Sequence, residues 1–87
     1  MKIVTTETLI TTVGNARIVH ITDNRKYPLD TYQLRDATGT VIGWAHANGA
    51  AFMVNAGHPD APLAERRFVG IAPTREAAIS ALRKLAG

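Results

Sequence analysis

The stretch Thr40-Val41-Ile42-Gly43-Trp44-Ala45-His46-Ala47-Asn48-Gly49-Ala50-Ala51-Phe52-Met53-Val54-Asn55-Ala56 decides the fold. Asn48-Gly49 stands between two runs of β-branched, aromatic and small residues, and it tolerates the positive φ that a tight hairpin turn demands. The segment therefore reads as two antiparallel strands, Thr40 to Ala47 and Ala50 to Ala56. It also lies within the 23 consecutive residues between Asp36 and Asp60 that carry no Asp, Glu, Lys or Arg. A membrane-spanning helix of that length is excluded by content, because Thr38, Thr40, His46, Asn48, Asn55 and His58 are polar and four glycines interrupt the run.

Working outward, turn chemistry keeps dividing the chain at short intervals. Upstream, Ala37-Thr38-Gly39 turns a strand from Thr31 to Asp36 back into Thr40 to Ala47, and Asp23 to Asp30 is a polar loop with Pro28 inside it. Before that loop, Gly14-Asn15 joins Thr8 to Val13 and Ala16 to Thr22 as a first hairpin. Downstream, Gly57 to Glu65, with Pro59 and Pro62, is the longest loop, and Arg66 to Ala72 is the last strand. Helical periodicity begins only after Pro73. Thr74 is placed as an N-cap, Glu76 suits the positive end of the helix dipole, and Ala78, Leu82 and Leu85, flanked by Ile79 and Ala86, form one apolar stripe. Arg83 and Lys84 suit the last turn, and Gly87 closes it. The fold class is α+β: an antiparallel β-meander of five to six short strands, able to curl, with one C-terminal helix.

Geometry then poses a problem. Six strands at roughly 4.8 Å spacing make a sheet about 24 Å wide, whereas one helix with its side chains is about 10 Å across. Apolar residues fall on both faces of the strands, so the sheet must curl or a partner must cover what the helix leaves open. Val41, Met53, Val69 and Ile71 are the expected interface residues. A two-fold homodimer is the expected assembly, since a self-complementary patch needs only one kind of chain. Trp44 is expected to anchor the core.

Eighty-seven residues suffice for a single domain, residues 1–87, and not for two. With 46% hydrophobic and 20% charged residues the chain belongs with folded globular proteins. The absence of cysteine removes disulfides and thiolate-bound metals. The net charge is +3, with five cations against four anions before Trp44 and five against three after it, so neither half is a basic arm. Met1-Lys2-Ile3-Val4-Thr5-Thr6-Glu7 lacks the unbroken apolar run of an export signal, and a cytoplasmic protein without membrane contact is expected.

Chemistry is sparse. His20, His46 and His58 are 26 and 12 residues apart, with no short ligand pair, so no metal site is expected. Ser80 is the one serine and lies within the helix, while Asp23, Asp30, Asp36 and Asp60 all belong to turns. No phosphate-cradling glycine motif is present. The reading is a non-enzymatic binding module with no cofactor and no evident small-molecule substrate. A histidine meeting an aspartate in a deep pocket would reopen catalysis. The basic residues offer a different function. Arg17, Arg35 and Arg67 on strands, with Arg66 beside the last and Arg75 at the helix start, could form a positive sheet face for duplex DNA.

Arg67-Phe68-Val69-Gly70-Ile71-Ala72-Pro73-Thr74-Arg75-Glu76-Ala77-Ala78, preceded by the Trp44 strand and its hairpin, resembles the three-stranded-sheet-plus-helix DNA-binding modules of the AP2 and phage-integrase arm-binding type. The resemblance covers about half the chain and implies DNA read from the sheet face. That family carries arginine on its first two strands, where this chain has none, and it lacks the first hairpin. Size and Ala/Thr/Arg/Gly-rich usage also resemble small accessory proteins of actinobacterial phages. Two functions follow as expectations: duplex DNA binding through the basic sheet face, or an adaptor or inhibitor role, toward a host protein or a second copy, through the open apolar face.

Overall fold

The computed structural model describes residues 2–87. Six strands, β1 (Thr5–Val13), β2 (Ala16–Asp23), β3 (Asp30–Arg35), β4 (Val41–Asn48), β5 (Ala51–Ala56) and β6 (Arg67–Ala72), precede one helix, α1 (Arg75–Ala86). They form one sheet in the order β1-β2-β3-β4-β5-β6, every pair antiparallel, so each strand lies beside its neighbour in sequence. The sheet does not close. The expected meander and helix are present, with three local differences. β1 begins at Thr5 rather than Thr8, a short 3-10 helix, Leu63–Glu65, lies inside the long loop, and the central hairpin turns one residue later than its strongest dipeptide suggests. Asn48 pairs with Ala51, so Gly49 and Ala50 are the loop. Gly49 has φ +65° and, among the described residues, no non-glycine residue has positive φ, which fits a turn needing left-handed backbone only at its first central position.

Alternation assigns the faces. Ile18 on β2, Tyr32 and Leu34 on β3, Ala45 on β4, Phe52 and Val54 on β5 and Ala72 on β6 point to one side, where Ala78 and Leu82 of α1 complete the core. Thr74 caps the helix as its residue type predicts, its hydroxyl accepting from the Ala77 N–H at 3.1 Å. Gly43 lets the helix come close: a Cβ built there would stand 3.1 Å from Leu85 Cδ1 and 3.3 Å from the Asn55 carbonyl oxygen.

The width problem is met by coiling. Three bulges place Ile10, Ile42 and Val69 as extra residues in the β1–β2, β3–β4 and β5–β6 pairs. Each bulge adds right-handed twist. The sheet wraps so far that α1 touches β2, β3, β4, β5 and β6, leaving β1 as the strand outside its main contacts.

Trp44 is not the core anchor that its size suggests. It pairs with Gln33 and Asn55 on the face opposite α1 and is half-buried, and the core aromatics are Tyr32 and Phe52. The reason is parity: Gly43 and Ala45 face the helix at its closest approach, which sends the residue between them outward. Among the described residues no helix is long and apolar enough to cross a membrane.

Candidate functional site

The five arginines expected to meet DNA, Arg17, Arg35, Arg66, Arg67 and Arg75, do not converge. Arg17 and Arg35 are paired in register on the outer face, away from α1. Arg35 is already occupied. It donates through Nη2 and Nη1 to the two carboxylate oxygens of Glu7 at 2.7 and 3.1 Å, and through Nε and Nη2 to Gln33 Oε1 at 3.1 and 2.9 Å. Glu7 lies on β1, so this strap crosses β2 above Val19, the only outward-facing β2 residue between Arg17 and Ile21. Val19 is only 8% exposed on this face without a helix, and its outward neighbours Ile21 and Thr31 are buried to the same degree, so the strap adds cover to an already shielded part of the face. The bond to Arg35 holds the Glu7 carboxyl below its ordinary range, and Glu7 in turn raises Arg35.

Arg67 pairs with Ala56, which pairs with Gly43, and so belongs to the opposite face at the far edge of the sheet. Arg66 is half-buried. Its Nη1 donates to the Pro59 carbonyl at 3.3 Å, while its Nε is buried without a partner among the described residues. Arg75 grips Asp30 through two bonds of 2.8 and 2.6 Å, donates to the Tyr32 hydroxyl at 3.1 Å and lies 5.3 Å from the Phe52 ring centroid.

Asp30 anchors a further cluster that separate sequence motifs did not disclose. His20 Nε2 lies 2.8 Å from Asp30 Oδ1, and its ring stacks on Tyr32 with centroids 4.6 Å apart. Arg75's hydrogen bonds, and after them that of His20, hold the Asp30 carboxyl below its ordinary range against the opposing effect of burial. A histidine therefore does meet an aspartate. The same carboxylate is held by the bidentate guanidinium of Arg75, and His20 and Asp30 line neither of the two grooves beside α1. What the cluster does mechanically is tie the first turn of α1 to β2 and β3. Hairpin parity could have placed His20 beside Tyr32; only the fold brings Arg75 to them. Among the described residues no group of three metal-ligating side chains converges.

The outer face of β4, β5 and β6 has the opposite character. Cross-strand rows Trp44–Asn55–Phe68 and His46–Met53–Ile71 run over it, with Val41 beside Arg35 at its margin. Phe68 is 54% and Ile71 67% exposed, whereas Met53 and Val41 are half-buried. No residue in these rows is Asp, Glu, Lys or Arg. Of the four expected interface residues, Ile71 and Met53 are adjacent on this face, and Val41 lies at its far margin. Val69, the extra residue of its bulge, has no cross-strand partner in these rows and, like Ile71, lines the groove between β6 and α1. Phe68 is the contributor that sequence reasoning missed, because the bulge beside it reverses its parity.

Two grooves flank α1. One, of about 170 Å³, lies between β6 and the helix and is lined by Val69, Ile71, Pro73, Ala77 and Ala81 over Val54. The other, of about 400 Å³, lies between β1 and the helix and is lined by Ile10, Thr11, Glu76, Ile79, Ser80 and Arg83. No family model, no curated protein and no solved structure matches this chain.

Proposed function

We propose that this chain is a non-enzymatic protein-interaction module that binds through the outer face of β4, β5 and β6. One observation carries the reading: Phe68 and Ile71 stand exposed in cross-strand rows that hold no charge, next to Trp44 and Met53. A large apolar side chain left in water forgoes about 1.5 to 3 kcal/mol of burial, a loss that matters in a domain whose whole stability is about 5 to 10 kcal/mol. Covering the face with another protein, or with a second copy of the chain, recovers it. The resemblance to small phage accessory proteins fits an adaptor or inhibitor of this kind.

Duplex DNA binding is the second reading, favoured by the net charge of +3 and by Arg17 and Arg67, which have no ion-pair partner among the described residues. It receives less support, since phosphates would have to displace Glu7 from Arg35 and Asp30 from Arg75.

The test places a photo-crosslinking amino acid at position 68 in cells, identifies the captured protein, and measures its affinity as a purified protein. Expected is a loss of at least about tenfold for Phe68→Ser with Ile71→Ser, the equivalent of one lost apolar anchor. Light scattering on the same variants reports whether the partner is a second copy. If the purified chain instead binds random duplex DNA with a steep negative salt slope, unchanged in the double variant, the protein-partner reading falls.

A further inference from the structure

β6 is an edge strand, and its outer side has no partner among the described residues. The apolar groove beside it, about 170 Å³, exceeds the roughly 150 Å³ of an apolar cavity that accepts benzene, so it has room for one branched or aromatic side chain. Its floor is open because Gly70 contributes no side chain: a Cβ built there meets nothing within 4 Å, unlike that at Gly43. Arg67, the one charged residue of β6, is exposed and without an ion-pair partner among the described residues. A free strand edge, a side-chain pocket between that edge and a helix, and a lone cation at one end are the components of peptide capture by strand addition.

We propose that β6 binds an extended segment of a partner protein by strand addition along Gly70 to Ala72, with one apolar side chain of the segment in the β6–α1 groove and a carboxylate near Arg67. The proposal rests on the protein-partner reading and adds the chemistry of the ligand: extended, alternately apolar, acidic at one end. The Val69 bulge selects a foreign segment over a second copy. It kinks the edge in mid-strand, and two such strands paired about a two-fold axis would set kink against kink, whereas a short segment needs only the straight half.

The probes are capped heptapeptides alternating Thr with Val, Leu or Phe and ending in Asp or Lys, titrated into the isotopically labelled full chain by NMR. Expected are saturable shifts at the Gly70, Ile71 and Ala72 amides, with the Asp-ended peptides binding about threefold more tightly, as suits an exposed ion pair. Arg67→Glu should invert that preference. N-methylation of alternate peptide bonds should weaken binding about tenfold, since it removes main-chain hydrogen bonds. Gly70→Val, which fills the groove where the fold leaves space, should do the same. No shift with any peptide, or shifts confined to Trp44 and Phe68, overturns strand addition. So does a dimer with protected β6 amides that the peptides do not displace. Peptide binding that survives Phe68→Ser, a change outside the groove lining, while the crosslinked partner is lost or absent, separates the fate of this site from that of the outer face.

Discussion

Gly43 and Gly70 occupy the helix-facing side of neighbouring parts of one sheet, and the same substitution at the two positions should have opposite effects. At Gly43 even a methyl group would lie 3.1 Å from Leu85 Cδ1, 3.3 Å from the Asn55 carbonyl oxygen and 3.5 Å from Leu82 Cδ2. The carbonyl belongs to a paired strand and cannot retreat, so the helix must. Valine adds two further carbons, and α1 has to lift off β4 just where the fully buried Leu82 packs. Overpacking of this kind costs about 1 to 3 kcal/mol, and Gly43→Val should fall in the upper part of that range because one obstructing atom is backbone. For a domain of this size, about 2 to 3 kcal/mol lowers Tm by roughly 10 to 20 °C. At Gly70 nothing stands within 4 Å, so Gly70→Val should be neutral or, through better strand propensity, slightly stabilising. Urea unfolding followed by circular dichroism and by Trp44 fluorescence measures both variants, the indole reporting on the sheet from the side away from α1. Equal stability of the two variants would refute the view that Gly43 sets the helix-to-sheet distance.

Three further outcomes are expected. Asp30→Asn should cost about 1 to 2 kcal/mol at neutral pH, because charge-assisted bonds from Arg75 are lost. The Asp30 carboxyl is depressed in the folded state, so its contribution is full above the ordinary aspartate value near 3.9 and disappears as pH falls through the folded value; unfolding curves of parent and variant should converge in acid. Arg35→Ala should destabilise more than Glu7→Gln, about 1 to 2 against under 1 kcal/mol, because the first uncovers Val19 while the second only weakens an exposed pair; denaturant titration of both variants checks the order. Gly57→Ala should be the most damaging loop substitution, at or above about 2 kcal/mol, since φ is +102° and the new Cβ would sit 2.8 Å from the Glu65 carbonyl oxygen; thermal unfolding reads it directly.

The hairpins and the helix were legible because their signals are local. Gly14 of Gly14-Asn15 and Gly49 of Asn48-Gly49 carry the backbone freedom their turns use, and Thr74 caps its own helix. The interaction surface was only half legible, because facing depends on register and a bulge reverses facing. Met53 and Ile71 could be put together by counting, but Phe68 joins them only through the extra residue at Val69, and no propensity marks that bulge. The arginines misled for a related reason. A guanidinium read from sequence is a free cation, whereas Arg35 and Arg75 reach 28 and 45 residues along the chain for the carboxylates of Glu7 and Asp30. Such pairs are visible only after tertiary placement.

The strictly sequential strand order has a kinetic consequence. Every sheet contact joins strands adjacent in the chain, so each hairpin can close through a short loop, and no strand must wait for a distant one to find it. The helix is different. α1 follows all six strands in sequence and packs mainly on β2 to β6, so hairpins formed ahead of it expose Leu34, Ala45 and Val54 until it docks. The rate-limiting event should thus be the landing of α1 on an already zipped but uncovered meander. Substitutions at Ala78 or Leu82 should then slow folding, and changes within the β1–β2 hairpin should chiefly alter how fast the native state opens.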